Sequence, residues 1–145
     1  MDMVATMVIE NHIVDVEVPG PGLYEITGEL NERLKALQIE SGLMTLFIQH
    51  TSASLLIQEN ADPSAKRDLE AWLNRLVPES DALYSHVAEG PDDMPAHIKA
   101  MLTAVNLSVP IAKRRLVLGT WQGVFLWEHR RATKKRQIVL NVLGR

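Results

Sequence analysis

Segments with the two-residue alternation of β-strands lie at both ends of this chain and near residue 50, and segments with helical spacing lie between them. Residues 4–18 predict one or two strands, and residues 43–58 predict two more, joined around residues 50–54. The C-terminal part predicts further strands at about 109–111, 116–120, 123–128 and 137–143. Because strands and helices are segregated rather than strictly alternating, the pattern favours an α+β fold with mixed or antiparallel sheets and about three helices.

Three stretches have the spacing of amphipathic helices. The first begins near Thr27, which we expect to cap it, and has Leu30, Leu34 and Leu37 on one face. The second begins at Asp62 and Pro63, since Asp accepts a hydrogen bond from a free N–H and Pro lacks the N–H that would stay unpaired. We expect its apolar stripe to be buried: Leu69, Trp72, Leu73 and Leu76. The third runs from about 95 to 105, with the stripe Ile98, Met101, Leu102 and Val105.

The 145-residue chain contains no cysteine. This excludes disulfides, thiolate metal sites and cysteine nucleophiles, and it suits the reducing cytoplasm. No segment has the roughly 18 apolar residues that a membrane span needs, so we expect a cytoplasmic protein with no membrane partner. The length predicts one domain over residues 1–145.

Charge is distributed unevenly along the chain. Residues 1–112 hold 6 Lys/Arg and 17 Asp/Glu, and residues 113–145 hold 9 and 1, which gives −11 followed by +8. A basic C-terminal segment suits a nucleic acid, an anionic substrate or the chain's own acidic part. The aromatic content is only 5%, and the aromatic residues are not interleaved with the basic runs as single-strand binders require. We therefore favour pairing within the protein over nucleic-acid binding.

His50 ends a predicted strand and leads into a turn with three hydroxyl groups, those of Thr51, Ser52 and Ser54. Such a turn can hold a phosphate through its hydroxyl and N–H groups. The hydroxyls can instead bond their own backbone, and this is the interpretation that the segment alone favours. A phosphate site is the alternative.

A second candidate site lies in the long polar loop before the third helix. His86, Glu89, Asp92, Asp93 and His97 place imidazoles and carboxylates within twelve residues. This set suits a divalent cation or acid–base chemistry. The other interpretation is a solvated acidic loop in which Asp93 caps the helix.

Two glycines flank Trp121 and Gln122, which indicates a bulge or turn with a close backbone approach. Trp121 suits either the core or a ligand. In a regular strand Glu128 has the same parity as Gln122, and a buried carboxylate there would need a partner. We interpret most of the basic residues at 113–115 and 130–136 as solvated turns around this predicted hairpin.

Taken together, four segments resemble the YjbQ family, an uncharacterised-protein family (UPF0047) whose members include secondary thiamine-phosphate synthases. They are the sequences His-Thr-Ser-Ala-Ser from residue 50, Glu-Asn-Ala-Asp-Pro from residue 59, the His86–His97 segment, and Gly-Thr-Trp-Gln-Gly from residue 119. The resemblance implies a compact α+β homotrimer that takes a small phosphorylated substrate. The implied reaction joins a hydroxymethylpyrimidine diphosphate to a thiazole phosphate with release of pyrophosphate.

The resemblance also implies roles for individual residues. The catalytic set is His50, His86, His97 and Glu128. A divalent cation, Mg or Zn, would be held by His86, His97 and Asp92. Substrate would be bound by Thr51, Ser52 and Ser54 at a phosphate, by Trp121 stacked on a heterocycle and by Gln122 at its edge. The alternative is an anion- or metal-binding homotrimer without this turnover.

Overall fold

The described part of the computed structural model, residues 6–132 and 134–145, contains eight strands and three helices. The strands are β1 (Val8–Val18), β2 (Gly22–Glu25), β3 (Ser41–Ile48), β4 (Ala53–Glu59), β5 (Asn106–Ala112), β6 (Arg115–Leu116), β7 (Gln122–Glu128) and β8 (Lys134–Gly144). The helices are α1 (Thr27–Leu37), α2 (Pro63–Leu76) and α3 (Asp93–Leu102). Residues 4 and 5, where the first strand was predicted to begin, lie outside the described residues, as does residue 133 in the basic segment.

The strands form two antiparallel sheets, which confirms the predicted α+β class. The larger sheet has the order β1-β8-β3-β5-β6, and the smaller has the order β2-β7-β4. The predicted strands around residue 50 are present as β3 and β4, but they belong to different sheets. Likewise β7 and β8 lie in different sheets, so the segment between them crosses from one sheet to the other and is not a hairpin turn.

The core lies where the two sheets and α1 meet. Alternate residues of β3 are buried, namely Met44, Leu46 and Ile48, as the period of a half-buried strand requires. Nearly every residue of β7 is buried, because one face of this strand meets the main core and the other meets α2. On that second face Phe125 and Trp127 pack with Leu73.

The two predicted helix caps have different outcomes. Asp62 Oδ1 accepts a hydrogen bond from the Ser64 N–H at 2.9 Å, and Pro63 is the first helical residue, so the α2 cap is confirmed. The prediction for Thr27 is wrong, because Ile26 occupies the cap position of α1 without a side-chain bond. The Thr27 hydroxyl instead donates to Glu25 and accepts from the Val124 N–H, which ties α1 to β7.

The apolar stripes of α2 and α3 are mostly uncovered, which corrects their predicted burial. In α2 only Leu73 is buried, whereas Trp72 is 54% exposed. In α3 the buried side chains include Ala96 and Ala100, whereas Met101 is 74% exposed. Small residues let α3 approach β4 closely, and the larger apolar residues then lie beside that contact rather than in it. Among the described residues no helix is long and apolar enough to cross a membrane.

Several basic residues of the C-terminal part pair with acidic residues from the rest of the chain. Arg114 contacts Glu40, Lys135 contacts Asp15, Arg131 contacts Glu79, and Arg130 contacts Asp92 and Asp93. This confirms the predicted pairing within the protein. The interpretation of the basic residues as solvated turns is wrong for Arg130 and Arg136. Arg136 is only 4% exposed, and the Arg130 side chain is only 15% exposed.

Candidate functional site

His86, Asp93 and His97 form one cluster at the start of α3. Asp93 and His97 are four residues apart and so lie on the same helix face. Asp93 Oδ2 lies 2.8 Å from His86 Nε2 and 3.2 Å from His97 Nε2, and one ligand atom from each residue lies within 4.8 Å of the others. The two imidazole centroids are 5.3 Å apart, which confirms that the loop brings these histidines together.

A backbone contact fixes the orientation of His97. Its Nδ1 lies 2.9 Å from the Thr51 carbonyl oxygen, which can only accept, so Nδ1 carries a proton. In the neutral ring the Nε2 lone pair then faces the Asp93 carboxylate. Two lone pairs repel unless a positive charge lies between them. The cluster therefore fits a bound cation between His97 Nε2 and the Asp93 carboxylate.

Arg130 holds the carboxylates on the other side of the cluster. Its guanidinium donates to Asp93 Oδ1 at 2.5 Å, to Asp92 Oδ2 at 3.0 Å and to the Glu89 carbonyl at 2.9 Å. Burial alone would raise the pKa of Asp92, but hydrogen bonds from the Arg131 N–H and from Arg130 outweigh it and lower that pKa. The structure thus places Asp93, and not Asp92, beside the two imidazoles, while Asp92 binds the arginines.

An open cleft of about 450 Å³ lies next to this cluster. Its walls are Phe47, Ile48, Gln49, His50, Thr51, Ser52, Val105 and Arg136. Thr51 connects the two regions, since its carbonyl accepts from His97 while the residue itself lines the cleft. The predicted hydroxyl-rich turn is therefore the boundary between the cluster and the cleft.

Arg136, which lines the cleft, belongs to a buried ion pair. Arg136 donates from Nε and Nη2 to the two oxygens of Glu128, each at 2.5 Å, and Glu128 is 1% exposed. Glu128 also accepts from the Arg130 N–H. Arg136 Nη2 reaches Ser52 Oγ at 3.0 Å. Because both Glu128 oxygens are occupied, the contacts of this predicted catalytic residue favour a role in positioning Arg136.

His50 packs against this ion pair. Its Nε2 accepts from the Gln137 N–H at 2.8 Å, and its Nδ1 lies 3.3 Å from Arg136 Nη1. Partial burial lowers the pKa of His50, and the positive charge of Arg136 lowers it further, against a smaller opposing effect of Glu128. His50 is thus neutral near pH 7.

Ser54 points away from the cleft. It is fully buried, and its Oγ lies 2.9 Å from Nε2 of His129, a histidine that is 5% exposed. Burial lowers the pKa of His129 to about 3, and the charges of Lys99 and Arg136 contribute in the same direction. The three hydroxyl residues of the turn therefore have three different partners: His97 for Thr51, Arg136 for Ser52 and His129 for Ser54.

Trp121 and Gln122 lie at the other end of β7 from Glu128. Six residue steps along a strand correspond to about 20 Å. Trp121 is 63% exposed, and the Gln122 side chain accepts from the Gly119 N–H at 2.8 Å. The predicted close approach occurs at Gly123, where a Cβ would lie 2.5 Å from Glu25 Oε2. Within one chain these two residues do not meet the rest of the predicted site.

From the sequence, no specific role was assigned to Arg130 or Arg136, and of the two adjacent carboxylates in the set suited to a cation, Asp92 rather than Asp93 was assigned as the ligand. The four-residue spacing of Asp93 and His97 was available as an indication that they share a helix face. Arg136 has the same strand parity as the buried residues Ile138 and Leu140, which indicates an inward-facing charge. Arg130 has no comparable pattern.

Comparisons with known proteins agree with the fold. A family model described as UPF0047 protein YjbQ-like matches residues 13–145. The UPF0047 protein sll1880 of Synechocystis is 44% identical over 140 residues, 97% of this chain and 95% of that protein. The UPF0047 protein YjbQ of Salmonella typhimurium is 44% identical over 124 residues, 85% of this chain and 89% of its own. The crystal structure of the conserved hypothetical protein TT1486 from Thermus thermophilus is 39% identical, with a TM-score of 0.74 over 87% of this chain and 97% of that one.

Proposed function

The chain belongs to the YjbQ-like UPF0047 family, and we propose that it is a cytoplasmic transferase that joins a hydroxymethylpyrimidine diphosphate to a thiazole phosphate. One arrangement carries the proposal. The His86–Asp93–His97 cluster and the Arg136 cleft share Thr51, so a cation site and a set of hydrogen-bond donors open side by side.

This reaction concentrates negative charge on a leaving group. The thiazole nitrogen forms a bond to the methylene carbon of the pyrimidine, and the carbon–oxygen bond of that methylene breaks, with its electron pair leaving on pyrophosphate. The step therefore needs fixed positive charge or donors aimed at the departing oxygens. Arg136, His50 and Ser52 present such donors on one side of the cleft.

The donor set of the cluster fits zinc better than magnesium. Two imidazoles and one carboxylate are ligands typical of zinc, whereas magnesium prefers oxygen ligands. The contacts that orient these ligands are also present, because Thr51 fixes the His97 ring and Arg130 fixes the Asp93 carboxylate. When bound there, a divalent cation would supply positive charge next to the leaving pyrophosphate.

We also propose that the protein assembles as a homotrimer in which Trp121 and Gln122 of one subunit approach the cleft of another. The support is that both residues belong to a segment whose sequence resembles the family but lie far from the rest of the site in a single chain. Sedimentation of the purified protein at micromolar concentration is expected to give three times the chain mass. A monomer would overturn this part of the proposal.

The decisive experiment measures thiamine phosphate formed from the two purified precursors with zinc or magnesium present. His97→Ala is expected to lower the rate at least a hundredfold and to remove stoichiometric zinc binding measured by calorimetry. The matched control is His12→Ala, because the one side-chain hydrogen bond that His12 makes within the described residues is to Glu10, which belongs to neither the cluster nor the cleft. No product, together with no pyrophosphate binding with either metal, would refute the synthase proposal. Zinc binding without product would leave a metal-binding protein that lacks this turnover.

A further inference from the structure

The hydrogen bond from Gln137 determines which nitrogen of His50 carries the proton. The Gln137 N–H points at Nε2 from 2.8 Å, so Nε2 must present a lone pair. Rotating the ring by half a turn would put carbon at that position and lose the bond. In the neutral ring the proton is therefore on Nδ1.

The proton on His50 Nδ1 leaves two neighbouring donors, this N–H and Arg136 Nη1, without an acceptor between them. Nδ1 lies 3.3 Å from Arg136 Nη1, which also carries only donor hydrogens, so these two groups cannot bond each other. The other nitrogens of Arg136 are committed to Glu128 and Ser52. Within the described ranges Nη1 has no further acceptor. A single oxygen atom in the cleft can accept from both donors at once, and a negatively charged oxygen does so best.

The wall beside these donors is apolar. Phe47 at the end of β3 is 48% exposed, and Val105 just before β5 is 40% exposed. Both line the same cleft as His50 and Arg136. An aromatic side chain with an open face stacks on flat rings. The cleft volume, about 450 Å³, is also in the range of small-molecule sites.

We infer that the cleft binds the phosphate ester of a planar aromatic or heteroaromatic compound. One phosphate oxygen accepts from His50 Nδ1 and Arg136 Nη1, and the ring packs against Phe47 and Val105. Phe47 is thus the aromatic partner of the substrate within the chain. This inference rests on the proposed function for its biological substrate, but the binding mode can be tested without turnover.

The test compares two simple phosphate esters, benzyl phosphate and methyl phosphate, by calorimetry with a chelator present and no second substrate. Benzyl phosphate is expected to bind more tightly than methyl phosphate. Phe47→Ala is expected to weaken benzyl phosphate binding about three- to tenfold and to leave methyl phosphate binding within about twofold. His50→Ala removes a donor and is expected to weaken both esters by about tenfold or more.

The matched control is Trp72→Ala, since Trp72 is a similarly exposed aromatic residue outside the cleft. It is expected to change neither affinity. Equal binding of the two esters to the wild-type protein, or an equal loss of both in Phe47→Ala, would overturn the inference. Selective benzyl phosphate binding in a protein that makes no thiamine phosphate would uphold the cleft assignment and refute only the synthase proposal.

Discussion

Glu128→Gln removes one charge from the buried ion pair under the cleft. The wild-type carboxylate takes two bonds from Arg136 and one from the Arg130 N–H, and both side chains of the ion pair are at most 5% exposed. Glutamine keeps the shape but turns an amide N–H₂ toward guanidinium donors and leaves the Arg136 charge without compensation. Breaking a buried pair in this way costs about 3–5 kcal/mol. This is a large part of the 5–15 kcal/mol by which a typical domain is stable.

Equilibrium unfolding in urea measures this cost directly. With a slope of about 2 kcal/mol per molar urea, the midpoint is expected to fall by roughly 2 M. Adding Arg136→Met to Glu128→Gln is expected to recover much of the loss, because neither position of this pair then carries an uncompensated buried charge. The exposed pair of Glu40 and Arg114 provides the control, and Glu40→Gln is expected to cost less than about 1 kcal/mol. A comparably small cost for Glu128→Gln would refute the argument that burial makes this pair critical.

Three further changes test other parts of the fold. His129 has a folded pKa of about 3 because of burial, so the unfolded chain takes up its proton first as pH falls. This group is expected to remove about 1.4 kcal/mol of stability per pH unit from about pH 6.5 downward, and His129→Gln is expected to flatten that dependence in acid unfolding curves. Asp62→Ala is expected to lower the melting temperature and Asp62→Asn to preserve it, because asparagine also accepts from the Ser64 N–H. Hydrogen bonding to that N–H lowers the pKa of Asp62, so the difference between aspartate and alanine is expected to be full at neutral pH and to shrink as pH falls through the lowered pKa. Leu73→Ala is expected to cost about 2–5 kcal/mol and the half-exposed Trp72→Ala only about 1–2 kcal/mol, measured by the same urea titration; equal costs would contradict the observed packing of α2.

Local chemistry made the start of one helix predictable. Asp62 and Pro63 mark the start of α2 because their effect depends on the neighbouring backbone alone. Burial was harder to predict, because an apolar stripe identifies one face of a helix but not how much of that face is covered. The prediction also omitted β2, since four residues after a Pro- and Gly-rich run show too little alternation to be distinguished from a turn.

The candidate site was predictable where its residues are close in sequence. The pairing of His86 and His97 follows from one short loop, and the choice between Asp92 and Asp93 depends on where the first helical turn begins. The partner that Glu128 requires was foreseen, but its identity was not. Arg136 in β8 reaches Glu128 in β7 from the other sheet, and the packing of the two sheets is a long-range property of the fold.

Two arginines, Arg130 just after β7 and Arg136 within β8, connect the cluster to the cleft. Arg130 donates its backbone N–H to Glu128 and its guanidinium to Asp93, while Arg136 is held by the same Glu128. A cation bound beside Asp93 would draw that carboxylate away from Arg130, and any shift of Arg130 would act on Glu128 and hence on the donors of the cleft. Thr51 provides a second connection, because its carbonyl orients His97 while the adjacent His50 lines the cleft. Cation binding and phosphate binding are therefore expected to be coupled in this protein through these two short routes.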